Sequence, residues 1–444
     1  MIARSRSKFA CRPLPAMPSI TQLPCEVVGL VLKSLDHPRY LCSALLTCRH
    51  FYSSFKESHG VRTSILRHQV TPALLPYAVA VAEAAQLPRP LSSASISSLL
   101  DELYKTPARL AARMSTLPAS TVQSMSLTHD TIHTLAMDFA TKAHALIPPF
   151  PTCTPVLSPS EYFRFCRAFY RVELFYIMSR EYEFEALTQS LFFSRHHPWE
   201  NEQLASVYEY LEARFAEASL DVLMHDVDFG EGGVDYLTTG AENGWRQAWL
   251  SHGVLFIYDL TKADSYEARH EILVDAYYSP HESEACLPEA LQEVITPDVS
   301  EDTIVAQYSE THLQMIPQLY GHQIGNDKVD MDPGPYRAWR EENKDQWLED
   351  SCMHESAAWL RERAYVFWDD DRLRNLPRGF GDSPGERSLG YTEEEFEEML
   401  DSFDERSQIS LKGGSGYWSK GDTSRIEWTE WSSLEEEETP SPEG

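Results

Sequence analysis

The sequence predicts a mainly α-helical protein with a three-helix module, a larger all-helical domain and a disordered acidic tail. Apolar residues recur at spacings of three and four along most of the chain, which is the helical period. From about residue 380 onward Gly, Ser and Glu dominate, so this segment buries too little apolar surface to offset its ordering entropy. We expect four segments: a disordered basic leader at 1–18, the module at 19–58, the body at 59–380 and the tail at 381–444.

Composition excludes several classes of protein. The 444 residues carry 38 basic and 68 acidic side chains, a net charge of −30. Such a chain repels a phosphate backbone, so we expect no nucleic acid partner. No apolar run reaches the length of about 18 residues that a membrane span requires, so we expect no membrane insertion. Eight cysteines without a Cys-x-x-Cys pair indicate reduced thiols, as in the cytoplasm or nucleus.

The charge is distributed unevenly. Residues 1–70 hold ten basic and three acidic side chains, and residues 381–444 hold five basic and eighteen acidic ones. The net charges are therefore +7 and −13, which leaves −24 for the residues between them. The chain thus has a basic head, an acidic body and an acidic tail. The leader is rich in Arg but has no apolar core of a signal peptide, so we do not expect secretion.

The first predicted helix of the module opens at Leu23-Pro24-Cys25-Glu26. Proline suits a first helical turn, and the helix dipole favours an acid there. Asp36-His37-Pro38 ends this helix. A second helix carries Leu41, Ala44 and Leu45 on one face, and a third begins near Cys48 and carries Phe51, Tyr52 and Phe55.

The first helix has more apolar surface than the module can bury. One stripe packs inside the module: Val28, Val31 or Leu32, and Leu35. A second stripe has no internal partner: Val27, Leu30 and Val31. About forty residues rarely form a self-sufficient core, because apolar burial only about balances the ordering entropy. The second stripe must therefore contact the body or another protein, and basic residues beside it favour a binding surface: Lys33, Arg39 and Arg49.

These residues resemble a known family. The pattern Leu23-Pro24-x-Glu26-Val27, followed by Leu residues and closed by Cys48-Arg49-x-Phe51-Tyr52, resembles the F-box. The resemblance implies a three-helix module that binds the Skp-type adaptor of SCF-type cullin ubiquitin ligases. The implied adaptor-binding residues are Leu23, Pro24, Glu26, Val27, Leu30, Val31, Leu45 and Cys48. Cys25 and Gly29 depart from the family pattern, and a glycine inside a helix costs about 1 kcal/mol.

Periodicity predicts long helices in the body. Three segments have apolar stripes at helical spacing: one capped by Thr128 and running to Leu146, one capped by Ser160 and running to Phe184, and Asn201–Leu223. Gly253–Tyr258 fits a strand or a helix equally well.

The body resembles a group of filamentous-fungal F-box proteins between Tyr162 and Leu373. The resemblance implies a continuous fold and no chemistry. Pro198-Trp199-Glu200 is typical of a helix start. Three aromatic residues near the end of the fold indicate a buried cluster: Tyr365, Phe367 and Trp368. The alternative is a substrate-docking pocket lined by Trp199 or Trp368.

Other motifs do not favour catalysis. His129 and His133 lie four residues apart, with His144 further along, and such pairs can bind zinc. The zinc-protease pattern requires Glu where Asp130 stands, so we interpret these as core-edge histidines. Asp226–Leu237 lacks two key residues of a calcium loop, and Gly413–Gly416 fits a linker. We therefore expect no catalytic residue, no metal and no cofactor.

Three functional hypotheses remain. The favoured one is a non-catalytic substrate receptor of a cullin ubiquitin ligase, with the module on an Skp-type adaptor and the body on an unknown protein target. The alternative is a helical interaction protein that uses the F-box for adaptor binding only. The third is a metal hydrolase centred on His129 and His133. The acid–aromatic tail either solvates the chain or binds a basic partner.

Overall fold

The mainly α fold is confirmed by the computed structural model. The structure describes residues 20–147, 155–179, 191–193, 195–277, 287–292, 330, 332–342, 353, 357–376, 380 and 391–429. The predicted leader, and residues 381–390 and 430–444 of the predicted tail, lie outside the described residues. The chain divides into two compact units, Met1–Thr71 with Met114–Ser126 and Pro72–Arg113 with Leu127–Gly444.

Within its described residues 20–71, the first unit contains a short 3-10 turn and four helices around one core. The elements are Ile20–Gln22, α1 (Cys25–Lys33), α2 (Pro38–Thr47), α3 (Arg49–Glu57) and α4 (Val61–Gln69). The fully buried core residues come from three of the four helices: Val28, Leu32, Leu41, Val61 and Ile65. Because α4 supplies two of them, this compact unit continues past residue 58, where we placed the end of the module.

Short-range hydrogen bonds set the helix boundaries of the first unit. Pro24 lies immediately before α1, and its carbonyl oxygen accepts from the backbone N–H groups of Val27 and Val28 at 3.0 and 3.1 Å. Pro38 begins α2, and His37 Nδ1 caps this helix by accepting from the backbone N–H of Arg39 at 3.0 Å. Both prolines occupy positions where a missing N–H costs nothing.

Gly29 has a packing reason for lying inside a helix. It is buried, and a Cβ at this position would lie 2.0 Å from Ser58 Oγ and 3.0 Å from Ser58 Cβ. The glycine therefore lets the end of α3 approach α1 closely, which offsets its low helix propensity.

The second unit contains many helices of very different lengths. In chain order they are α5 (Leu75–Ala84), α6 (Ser93–Lys105), α7 (Pro107–Ala112), α8 (Ala119–Ala145), whose first residues belong to the first unit, α9 (Pro159–Ser179), α10 (Pro198–His225), α11 (Val227–Glu231), α12 (Gly244–Leu250), α13 (Val254–Lys262), α14 (Tyr266–Tyr277), α15 (Leu287–Gln292), α16 (Gly334–Glu342), α17 (Ala358–Arg361), α18 (Asp370–Arg374) and α19 (Glu393–Ser410). A 3-10 turn, Arg113–Thr116, follows α7. The ambiguous segment at Gly253–Tyr258 is thus helical, within α13.

Two predicted helix caps are misplaced. Ser158, not Ser160, caps α9: Ser158 Oγ accepts from the backbone N–H of Glu161 at 3.1 Å, and Glu161 Oε2 accepts from that of Ser158 at 2.9 Å. Thr128 lies within α8, which begins nine residues earlier at Ala119. The predicted start at Pro198 is confirmed, because α10 begins there.

The helix α9 lies at the centre of the second unit and packs against α5 and α10. Every side chain from Phe163 to Ser179 is buried, including the arginines at 164, 167 and 171. Buried guanidinium groups require paired charges. Arg164 and Arg167 contact Asp330 at 2.6 and 2.7 Å, and Arg167 also contacts Glu200 at 2.9 Å.

The predicted disorder of the tail is wrong for residues 391–429. Helix α19 begins with a capping box in which Thr392 Oγ1 accepts from the backbone N–H of Glu395 and Glu395 Oε2 accepts from that of Thr392. The expected linker at Gly413–Gly416 contains strand β1 (Gly414–Gly416), which pairs antiparallel with β2 (Ile426–Trp428). Val227, Trp418 and Ile426 form a small apolar cluster. This segment therefore buries apolar surface although its overall composition predicts disorder.

The described residues include no helix that combines the length and apolar character needed to cross a bilayer.

Candidate docking surface

The apolar side chains of α1 lie on two opposite faces. Val28 and Leu32 are 1% exposed and form part of the core of the first unit. By contrast Val27, Leu30 and Val31 are 39, 66 and 41% exposed. These three positions fall together on a helix of 3.6 residues per turn, on the side opposite the core. We call Val27, Leu30 and Val31 the α1 outer face.

The other predicted adaptor-binding residues surround α1 in two different environments. Pro24 and Glu26 are exposed at the start of the helix. Leu23 and Leu45 are half-buried and pack against the core, and Cys48 is half-buried between α2 and α3. His50 Nε2 is hydrogen-bonded to the carbonyl oxygen of Leu23 at 2.8 Å, which fixes the entry to α1. The outer face is thus presented by a supported helix.

The first unit has further exposed apolar residues, of which sequence reasoning missed Leu46 and Tyr40. Leu46 is 87% exposed, and Tyr40 and Tyr52 are 47 and 48% exposed. The signal for Leu46 was present in the helical spacing, because it lies off the stripe formed by Leu41, Ala44 and Leu45.

Cations accompany these aromatic rings. The guanidinium of Arg39 lies 5.2 Å from the ring centre of Tyr40, and the ammonium of Lys56 lies 4.7 Å from that of Tyr52. Arg62 lies 5.3 Å from the ring centre of Phe55. Contacts of this kind hold a cation at the surface without neutralising its charge.

The histidines considered for zinc binding contact tyrosines. His129 Nδ1 lies 2.9 Å from the hydroxyl of Tyr170, and His133 Nδ1 lies 3.1 Å from that of Tyr162. His144 is buried beside Trp368, and burial lowers its pKa. In the part of the chain that the structure describes, no cluster of three or more His, Cys, Asp or Glu side chains could hold a metal ion.

The predicted aromatic cluster of the body is confirmed. Tyr365, Phe367 and Trp368 are at most 1% exposed, and the Phe367 ring stacks on Phe165 at 4.4 Å. Trp199 is 8% exposed and packs against Tyr336 at 5.2 Å. Both tryptophans considered for a pocket are therefore packed against side chains of this chain.

No protein-family model, no curated protein and no solved structure matches this chain.

Proposed function

We propose that this chain is the substrate-receptor subunit of an SCF-type cullin ubiquitin ligase. The observation that carries the proposal is the α1 outer face, an apolar surface on a helix whose opposite side already fills a core. The resemblance of residues 23–55 to the F-box supports an Skp-type adaptor as the protein that covers it.

The energy available from the outer face supports docking. Full burial of a Val or Leu side chain contributes about 1.5–3 kcal/mol. The three residues are about half exposed on average, so covering them contributes about 2–4 kcal/mol. A micromolar complex needs about 8 kcal/mol, so further contacts with the same partner must supply the remainder.

In this function the chain itself carries out no chemistry. The adaptor connects the first unit to the cullin scaffold, and the body binds a protein target. Holding the target near the ubiquitin thioester raises the effective concentration of the reacting groups, which accelerates transfer without a catalytic residue on the receptor.

Binding of a purified Skp-type adaptor to the full chain tests the proposal. We expect Leu30→Glu with Val31→Glu to weaken adaptor binding at least about tenfold, because two carboxylates would have to be desolvated at the interface. The matched control is Leu220→Glu with Leu411→Glu, which changes two leucines of the second unit that are 39 and 73% exposed. Equal adaptor binding by wild type and the α1 variant, or no binding by wild type, overturns the proposal.

The alternative function is adaptor binding outside any ligase, and recovery of the cullin together with the adaptor distinguishes the two functions. We expect precipitation of the full chain from cell extract to recover adaptor and cullin together, and the α1 variant to recover neither. Adaptor without cullin would favour the alternative.

A further inference from the structure

The two compact units carry opposite net charges. The first unit, Met1–Thr71 with Met114–Ser126, contains ten basic and three acidic side chains, a net charge of +7. The remaining residues contain 28 basic and 65 acidic side chains, a net charge of −37. A protein with a large net charge of either sign therefore experiences opposite forces from the two units.

Of the ten cations of the first unit, six lie within the residues that the structure describes, and these six are available to a partner. Five cations within residues 20–71 are exposed and one, Lys33, is half-buried. None of the six forms an ion pair with any residue that the structure describes. The exposed five are Arg39, Arg49, Lys56, Arg62 and Arg67.

The outer face of α3 concentrates part of this charge. Arg49, Tyr52 and Lys56 lie at positions i, i+3 and i+7, so they share one side of the helix. All three are exposed, and Arg62 approaches the ring of Phe55 on the same helix. Aromatic and arginine side chains are enriched at protein interfaces.

We propose that the protein that covers the α1 outer face is acidic, and that Arg49, Lys56 and Arg62 draw it to the first unit by electrostatic steering. This inference rests on the proposed function and specifies the chemistry of the adaptor surface. The acidic second unit offers such a partner no comparable attraction, so the opposite net charges of +7 and −37 favour encounters with the first unit.

A protein fits these observations better than a nucleic acid or an anionic membrane. A phosphate backbone cannot cover the apolar Val27, Leu30 and Val31 side chains. The net charge of −37 on the second unit also opposes a planar anionic surface.

Association kinetics of the full chain with a purified Skp-type adaptor test the inference. Salt screens both the attraction by the three cations and the repulsion by the acidic second unit, so wild type is compared with a charge-reversed variant at about 20 and 500 mM NaCl. We expect Arg49→Glu, Lys56→Glu and Arg62→Glu together to reduce the association rate constant at least about tenfold at the low salt concentration and much less at the high one, with little change in the dissociation rate constant.

The matched control changes total charge by the same amount at another place. Lys262→Glu, Lys412→Glu and Lys420→Glu alter three exposed lysines of the second unit. We expect a much smaller fall in rate than for the first triple variant. Circular dichroism verifies folding, and the milder Arg49→Gln, Lys56→Gln, Arg62→Gln variant should give an intermediate rate.

Each contrary outcome has a separate meaning. A difference in association rate between wild type and the first triple variant that does not shrink with salt overturns the steering and leaves the proposed function standing. Equal effects of the two triple variants overturn the role of the three named cations. Loss of binding to phosphatidylserine vesicles or duplex DNA, with unchanged adaptor association, assigns the cations to those ligands instead. No complex at either salt concentration overturns the proposed function itself.

Discussion

Gly230 determines where the buried Arg406 side chain can lie. Arg406 Nη1 donates to the carbonyl oxygens of Leu223 and Asp226 at 2.8 and 2.9 Å, and Nη2 donates to Ser402 Oγ at 3.0 Å. The Leu223 carbonyl lies in the last turn of α10, where carbonyl groups have no partner within the helix, whereas the Asp226 carbonyl follows the helix and also accepts from the backbone N–H of Gly230. Burial lowers the pKa of Arg406 to about 10, so the group stays charged at neutral pH.

Gly230→Ala should expel this arginine. An added Cβ would lie 2.1 Å from Arg406 Nε, and the side chain has no free space because it is fully buried. We expect a loss of about 2–4 kcal/mol in the free energy of unfolding, measured with urea, from overpacking and from the broken hydrogen bonds. Gly244→Ala is the control, since a Cβ there meets no atom within 4 Å. A neutral effect of Gly230→Ala would contradict the arrangement.

Burial of His196 makes the stability of the body depend on pH. His196 contacts the hydroxyl of Tyr104 at 2.6 Å and Asn201 Oδ1 at 3.1 Å. Burial is the main cause that lowers its pKa well below the ordinary value of 6.5. Below about pH 6.5 this histidine is therefore protonated in the unfolded chain but stays neutral in the folded chain. The free energy of unfolding keeps its full value above that pH and decreases as the pH falls below it.

We expect the urea midpoint to fall between about pH 7.5 and pH 5.5, and to fall less in His196→Gln, because the variant lacks the titrating group. The comparison between the two proteins is necessary, since Asp226 raises the pKa of His270 and thereby acts in the opposite direction. Equal falls in both proteins would exclude His196 as the cause.

The short helix α16 is joined to the body by ionic contacts just before it. Asp330 lies between Arg164 and Arg167, and these two guanidinium groups lower its pKa despite burial. A Cβ added at Gly334, the first residue of α16, would lie 2.5 Å from the carbonyl oxygen of Trp368. The backbone of α16 therefore packs closely against the backbone at Trp368. Charge pairing and close packing together hold α16.

Asp330→Asn should destabilise the second unit by about 3 kcal/mol, because Arg164 and Arg167 would lose their shared buried counter-charge and keep only their contacts with Asp369 and Glu200. Asp101→Asn is the matched control. Asp101 also contacts two cations, Lys105 and Arg195, but its side chain is 39% exposed and solvent screens these pairs, so we expect a much smaller loss. Urea unfolding of the full chain measures both. Similar losses in the two variants would contradict a special role of burial.

Sequence patterns predicted some elements well and others poorly for physical reasons. The two apolar faces of α1 were predictable from the sequence, because its apolar residues divide into two stripes at helical spacing. The burial of the α9 arginines was not predictable, because Arg164, Arg167 and Arg171 have the spacing of a solvent-exposed stripe. The counter-charge of Arg164 and Arg167 comes from Asp330, which is distant in sequence. The Thr392–Glu395 capping box is visible in the sequence and predicts a helix start, but the acidic composition around it favoured the prediction of disorder.

The net charge of the whole molecule also affects its stability. The second unit carries −37, and its carboxylates repel one another most strongly at low ionic strength. We expect the thermal unfolding midpoint to rise by several degrees between about 20 and 500 mM NaCl, because salt screens this repulsion while buried pairs such as Arg361 with Glu202 are screened little. Differential scanning fluorimetry measures it, and a midpoint that falls with salt would contradict this account.

Prediction of the whole architecture from sequence was limited by long-range contacts. The mainly helical class followed from the periodicity, which is a local property. The placement of α19 did not, because it depends on Arg406 reaching carbonyl groups at Leu223 and Asp226, nearly two hundred residues earlier. The candidate docking surface was accessible to prediction because one helix contains it.

The burial of α9 on every side between Phe163 and Ser179 leaves this stretch no position where a substitution escapes packing contacts. From Phe163 to Ser179 each side chain meets protein, so even an exchange between two apolar residues alters a fitted volume. The acidic outward side of α19 offers the contrast, since Glu394 and Glu397 face solvent. Over evolutionary time we expect α9 to retain its residues while α19 exchanges them, so distant descendants of this chain would be traced through this helix.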